Sequence, residues 1–365
     1  MINIAVLPGD GIGPEVTVEA VRCLEQLSEK RDLGLSFTEY DFGAVAIHRH
    51  GDPLPRKTLD ACREADAVLL GAVGGEPSPD VAVRPEEGLL RLREELGLFA
   101  NLRPAKVLNG LLDISPLRPD VSKDADILVV RELTGGIYFG ERHADPHSAS
   151  DTCSYSREEI ERIAHVAFRS AVHRRRKVTS VDKANVLATS KLWRSTVAEV
   201  AKAYPEIELE HMYVDACAMA LVTNPRRFDV ILTENLFGDI LSDELSVISG
   251  SIGLLASASI GSSGLGLFEP IHGSAPQLAG RNLANPAGAI ASAAMMLDEL
   301  GFGDSARMLT EAVAVTLLEG CRTADLGGSA TCSEFGKRVR ENVTTGLTRF
   351  EVFCELISLN RGCCA

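Results

Sequence analysis

The sequence predicts an α/β protein of two domains, and three observations carry that prediction. Short apolar runs alternate with longer amphipathic stretches along the chain, the order in which strands feed helices that return to a sheet. At 365 residues the chain is long enough to bury a substantial core and to divide it, so two domains are expected. Hydrophobic residues at 45% and charged residues at 24% describe a globular chain that is neither disordered nor membrane-embedded.

In chain order, residues 2–7, 67–70, 127–130, 178–181, 209–213 and 230–232 are strand candidates, each short, apolar and followed by a stretch of helical periodicity. The first strand runs into Leu7-Pro8-Gly9-Asp10-Gly11-Ile12-Gly13-Pro14-Glu15. These glycines invite a dinucleotide-binding reading, but the sixth position of G-x-G-x-x-G counted from Gly9 is Pro14, so the fold is not announced by a Rossmann fingerprint. The segment reads instead as a structural turn near the active cleft, with the proline in the first helical turn. Residues 141–156, rich in Ser, Asp, His and Pro, read as an excursion from the core, and His143 and His147 within it as solvated rather than metal-binding.

Several functions are excluded early. A net charge of −14 offers no basic surface for phosphate backbones, so nucleic acid is not a partner. No apolar stretch reaches the ~18 residues of a membrane span and the N-terminus lacks a signal peptide's basic start, which predicts a cytoplasmic or organelle-matrix protein. Nine scattered cysteines without a Cys-x-x-Cys pair argue against structural zinc or a disulfide framework.

The most informative run is Asn235-Leu236-Phe237-Gly238-Asp239-Ile240-Leu241-Ser242-Asp243, directly after the strand at 230–232. At ~100° per residue, Asp239, Asp243 and Ser246 share one helix face while Leu241, Leu245 and Ile248 lie opposite. An isolated Asp-x-x-x-Asp reads first as a solvated acidic face. Two carboxylates one turn apart repel, however, and an oxygen-coordinated divalent cation such as Mg²⁺ or Mn²⁺ reverses the sign. Basic residues supply the complement: Arg93, Arg103 and Arg131, the last at the end of a strand where open parallel sheets place ligands. Singly each is an ordinary salt-bridge partner; converging, their planar forks would hold a di- or tricarboxylate. Tyr138 and Lys183, both shortly after strands, are candidate proton-transfer groups.

Together these segments resemble the isocitrate/isopropylmalate dehydrogenase family of β-decarboxylating, metal-dependent enzymes, over roughly residues 1–343. The run from Asn235 to Asp243 continuing into Gly250-Ser251-Ile252-Gly253-Leu254 fits the family signature, and Val-Asp-Lys-Ala-Asn, Arg-Glu-Leu-Thr-Gly-Gly-Ile-Tyr-Phe-Gly and His272-Gly273-Ser274-Ala275-Pro276 agree in order and spacing. The resemblance implies a two-domain fold with a large mixed sheet flanked by helices. Residues 1–98 and 251–365 would form a discontinuous cofactor-binding domain. Residues 99–250 would form the substrate, metal and dimerisation domain, with an intersubunit arm at about 141–156. It implies Lys183 and Tyr138 as catalytic acid–base residues, substrate binding by Arg93, Arg103 and Arg131, and metal binding by Asp239 and Asp243 with Asp215 from the partner subunit of a homodimer. Glu-x-x-Leu-Leu-x-x-Arg presents Leu89 and Leu90 to the substrate, which implies an alkylmalate: burying its alkyl group recovers ~0.8 kcal/mol per CH₂.

For the cofactor the resemblance implies NAD, held by Glu86, Asn185, Glu269, His272, Gly273, Ser274, Ala275, Gln277, Asn285 and Asp325. Gln277 stands where NAD-using members carry Asp, which removes the repulsion of a 2′-phosphate and leaves NADP open. Residues 344–365 outrun the family pattern; Leu347, Phe350, Val352, Phe353 and Leu356 predict a packed terminal helix there. Two rivals remain: a related enzyme acting on D-malate, tartrate, homoisocitrate or a longer alkylmalate, and a catalytically silent regulatory subunit, against which the intact acid, base and metal residues speak.

Overall fold

The computed structural model describes residues 1–75 and 83–345; the expected helix beyond residue 345 lies outside them. The chain forms two compact units, Met1–Leu89 with the described part of Phe268–Ala365, and Leu90–Leu267.

The first unit opens with β1 (Ile2–Gly9), α1 (Gly13–Arg31), β2 (Leu35–Glu39), α2 (Ala44–His50), α3 (Arg56–Glu64) and β3 (Ala67–Ala72). β1 runs parallel to both β2 and β3, which requires a crossover between each pair. Every residue of β3 is buried, as in a strand covered on both faces. Pro14 occupies the first turn of α1 and Asp32 closes that helix in the left-handed conformation.

The second unit begins within α4 (Pro85–Glu95) and continues through β4 (Leu98–Lys106), the single turn α5 (Pro119–Ser122), β5 (Asp126–Glu132), the strands β6 (Arg142–Ala144) and β7 (Ala149–Asp151), α6 (Arg157–Val172), β8 (Lys177–Asp182), α7 (Ala188–Ala201), β9 (Glu208–Tyr213), α8 (Val214–Thr223), β10 (Val230–Thr233), α9 (Asn235–Ile248) and β11 (Ala256–Gly261). Its strand order is β11-β4-β5-β10-β8-β9. β4 is antiparallel to both β11 and β5, whereas β5, β10, β8 and β9 are parallel, so the sheet is mixed. β12 (Gly266–Pro270) takes the chain back to the first unit beside β3, followed by α10 (Ala287–Glu299), α11 (Gly303–Leu318) and α12 (Cys332–Thr345). The expected breaks stood at 98/99 and 250/251; the ladder between β4 and β11 keeps both strands in the second unit.

All six strand candidates are strands, and the α/β class with a mixed sheet is as expected. β4 escapes a reading by pattern because it carries Asn101, Arg103 and Pro104. The proline is tolerated because it lies past the stretch Leu98–Leu102 that β11 pairs with. The core of the second unit centres on Trp193, 2% exposed and packed edge-on against Tyr155 with centroids 5.5 Å apart. A capping box, Ser156 with Glu159, starts α6 at the end of the excursion. Within that excursion β6 and β7 form an antiparallel hairpin whose residues are all exposed. His143 and His147 are exposed there, His143 paired with Asp145. The six cysteines among the described residues are free thiols. No helix among those residues is long and apolar enough to cross a membrane.

Candidate active site

The parallel register of the second unit brings the chemistry to one sheet edge. Arg131 of β5 lies opposite Thr233 of β10, Thr233 opposite Val181 of β8, and Asp182 of β8 opposite Tyr213 of β9. The next residues along these strands lead to Tyr138, Asn235 with α9, Lys183 and Asp215, all beyond carboxyl ends of parallel strands.

α9 starts where Glu234 accepts a hydrogen bond from the Phe237 amide at 2.8 Å, a side-chain cap on an otherwise orphaned donor. Its apolar stripe, Leu241, Leu245 and Ile248, is fully packed, worth ~1.5–3 kcal/mol per side chain. Asp239 and Asp243 remain accessible, as the periodicity predicts. Ser246, on the same face, is buried and donates to the Asp243 carbonyl at 2.6 Å. Just beyond it, Ser115 bonds the Ile248 carbonyl at 2.7 Å, and a Cβ on Gly250 would lie 2.7 Å from Ile114.

Arg103 and Arg131 face the acid pair from the buried side, with Arg93 near enough to both for its charge to act on them; Arg93, Arg103 and Arg131 are 8%, 8% and 3% exposed. Arg131 is ion-paired to Asp239, and Arg103 lies 3.7 Å from Asp239 and 3.6 Å from Asp243. Arg103 is held in place by Asn101 at 2.7 Å and Ser242 at 2.6 Å. The Tyr138 hydroxyl donates to Asp239 at 2.8 Å. Burial alone would raise the Asp239 carboxyl, but the charges of Arg131 and Arg103 outweigh it and hold the group below the usual carboxylate range. For Asp243 burial wins over the attraction of Arg103, and its carboxyl is raised. Burial, reinforced by Asp239, raises the Tyr138 phenol, and burial brings the Arg103 guanidinium down to about 10. Buried guanidiniums with their planar forks are a setting for an anionic ligand.

Lys183 and Asp215 form a second group. The Lys183 ammonium donates to Asp215 at 2.6 Å, and that bond lowers the Asp215 carboxyl. Lys183 sits on a stiff turn: its amide bonds Ser190 at 3.0 Å, and Asp182 accepts the Ala184 amide at 2.9 Å while gripping Arg194 through both oxygens. Among the described residues no set of three His, Cys, Asp or Glu side chains is placed to hold a metal ion. One chain thus offers two oxygen donors, Asp239 and Asp243, of the kind a hard divalent cation takes, and Asp215 is not the third within the same chain.

The residues expected to hold a dinucleotide fall mostly in the first unit. Here the turn after β1 has a visible purpose. The Ile12 amide bonds the Ser274 carbonyl at 2.8 Å, and a Cβ on Gly11, whose φ is +57°, would fall 1.9 Å from that oxygen. Asp10 accepts the amides of Ala44 and Gly74 at 2.8 and 3.1 Å. Gly74 in turn has Glu86 and Ser274 beside it. Asn285 donates to Asp325 at 3.0 Å. His272 is buried with Nε2 unpartnered, and burial lowers its pKa. Such an orphaned ring nitrogen, beside an open Gly273 and an exposed Gln277, fits a polar ligand over this loop. Glu269 is 8% exposed. Asn185 is exposed in the second unit, and Leu89 and Leu90 are half-buried on α4. Sequence reasoning missed Asn101, Ser242 and Asn235, which hold the arginines. Their signal was proximity: each lies within four residues of a candidate, on the same strand or helix.

Buried arginines beside an acid pair make a setting for an anionic ligand, and comparison with known proteins gives the class. The model of the isocitrate/isopropylmalate dehydrogenase family matches residues 3–339. The 3-isopropylmalate dehydrogenase of Staphylococcus haemolyticus is 53% identical over 342 residues, covering 93% of this chain and 99% of that protein. The Staphylococcus aureus enzyme is 53% identical over 334 residues, 91% of this chain and 96% of that one. Among solved structures, isocitrate dehydrogenase from Methylococcus capsulatus superposes with a TM-score of 0.83 at 36% identity, covering 94% of this chain and 99% of that one. A β-decarboxylating dehydrogenase from Thermococcus kodakarensis gives 0.79 at 38%, covering 94% and 97%. The chain belongs to the isocitrate/isopropylmalate dehydrogenase family. It is an oxidoreductase of the decarboxylating dehydrogenase class, whose chemistry in general uses a nicotinamide dinucleotide and a metal.

Proposed function

We propose that this enzyme oxidatively decarboxylates (2R,3S)-3-isopropylmalate to 2-oxo-4-methylpentanoate with NAD as acceptor, the oxidative step of leucine synthesis. The observation that carries the reading is the Asp239–Asp243 pair facing Arg103 and Arg131, with Tyr138 bonded to Asp239. Asp239 and Asp243 would hold Mg²⁺ or Mn²⁺, which would supply a Lewis acid to acidify the substrate's hydroxyl. Glu269, His272, Gly273, Ser274, Ala275 and Gln277, with Glu86, Asn185, Asn285 and Asp325, would hold NAD, which would supply the hydride acceptor. Arg93, Arg103 and Arg131 grip the malate carboxylates, already desolvated and therefore strong partners. Lys183 takes the hydroxyl proton and Tyr138 returns a proton to C3 after carbon dioxide leaves. Leu89 and Leu90 accommodate the isopropyl group.

The working form in this reading is a cytoplasmic homodimer, with Asp215 reaching the metal of the opposite copy. Its support is twofold. Asp215 pairs with Lys183 rather than joining Asp239 and Asp243. Met219 and Val222 on α8, with Ile240 and Val247 on α9, are 44–64% exposed, an apolar patch of the kind interfaces cover. The first unit is the cofactor-binding part and the hairpin of β6 and β7 the intersubunit arm.

The test is absorbance at the nicotinamide band with isopropylmalate, Mn²⁺ and each dinucleotide, beside D-malate, tartrate and homoisocitrate. Isopropylmalate with NAD should give the highest kcat/KM; a higher value for another acid overturns the substrate. Gln277→Asp should raise the NAD-over-NADP preference by about tenfold, since a carboxylate beside a 2′-phosphate costs at least ~1.4 kcal/mol. An unchanged preference would remove Gln277 from the ribose.

A further inference from the structure

The Asn235 side chain ties Arg131 to the backbone just ahead of the Tyr138 turn through one buried amide. Its oxygen accepts from Arg131 Nε at 3.1 Å and from Arg131 Nη2 at 2.7 Å. Its nitrogen donates to the carbonyls of Leu133 and Gly135 at 3.1 and 3.2 Å. The residue is 1% exposed, and its backbone amide bonds the Tyr155 hydroxyl at 3.0 Å, which itself faces Glu234 at 3.4 Å. All the hydrogen-bonding capacity of the carboxamide is therefore spent, and the donor and acceptor ends cannot be exchanged without breaking four bonds.

The consequences differ at the two ends. At the oxygen, one edge of the Arg131 guanidinium is occupied, which turns the remaining Nη1 toward Asp239. At the nitrogen, the chain following β5 is pinned just before Gly136, whose φ of +76° starts the turn that carries Tyr138. Glu132 braces the same turn from beneath by accepting the amides of Thr134 and Gly135. Gly238, one helical turn beyond Glu234, lets α9 approach: a Cβ there would lie 2.7 Å from Arg131 Cγ.

We propose that Asn235 is a positioning residue that fixes the substrate-binding edge of Arg131 and, separately, the turn bearing the proton donor Tyr138. The inference rests on the roles proposed above for those two residues. It predicts that the two ends act on different kinetic constants. Asn235→Asp keeps an acceptor for Arg131 but loses the donations to Leu133 and Gly135, so kcat should fall by about 100-fold, the cost of ~1 Å misplacement, with KM for isopropylmalate changed less than about threefold. Asn235→Ala loses both ends, and should lower kcat similarly while raising KM by about tenfold or more.

The experiment measures kcat and KM of the purified full-length variants per folded protein, with circular dichroism and Tm as controls and Arg131→Ala as reference. A split between Asp and Ala variants supports the proposal. Equal KM values in both variants, or kcat losses tracking Tm alone, overturn it and leave Asn235 a structural residue. If Arg131→Ala itself leaves KM unchanged, the failure lies in the assignment of Arg131, and the two failures are thereby distinguished.

Discussion

Asp239→Asn should lower turnover by about 1,000-fold or more while leaving the protein folded. The side chains are nearly isosteric, and the buried stripe of α9, Leu241, Leu245 and Ile248, is untouched. What changes is charge. Asp239 is the counter-ion of Arg131, lies 3.7 Å from Arg103 and accepts the Tyr138 hydroxyl. A neutral amide takes the ion-pair partner from Arg131 and leaves Arg103 facing Asp243, and it removes one of two charged oxygen donors offered to a divalent cation. Titration calorimetry with Mn²⁺ should show weakened binding, circular dichroism an unchanged spectrum, and the steady-state assay the loss of kcat. Retained turnover in the variant, or full wild-type turnover in excess EDTA, would refute the metal-binding role.

Much of this site was legible in the sequence, and the reasons differ by residue. Asp239 and Asp243 could be paired because helical spacing is local, and the apolar stripe opposite them told which face packs. Arg131 and Lys183 were found because each follows a strand, and parallel register then sets strand ends at one edge. Ser246 shares the face of Asp239 and Asp243 but is buried, because a wheel gives direction and not what the helix leans on. β4 was invisible because its inward-facing Asn101 and Arg103 break the apolar pattern. In that strand buried polar side chains override the strand signal. The purpose of Gly11 and Gly13 was hidden for another reason. A glycine required by the approach of Ser274 or Ala72 leaves no mark in local periodicity, since the contact comes from elsewhere in the chain.

Lys183→Met should lower kcat by about 100- to 10,000-fold, the usual span for a lost general base, with little change in KM for isopropylmalate. Methionine keeps the length of the side chain, and the turn beneath it is fixed by the Lys183 amide on Ser190 and by Asp182 on Ala184, neither of which the substitution touches. The competing account is that Lys183 serves only as the counter-charge of Asp215, whose carboxyl its hydrogen bond holds low. Lys183→Arg separates the two. Arginine restores a cation beside Asp215, but it stays protonated and cannot accept a proton. The Arg variant should therefore remain as slow as the Met variant. Recovery of most of the wild-type kcat in Lys183→Arg would reduce the residue to an electrostatic support and move the proton-acceptor role to another group.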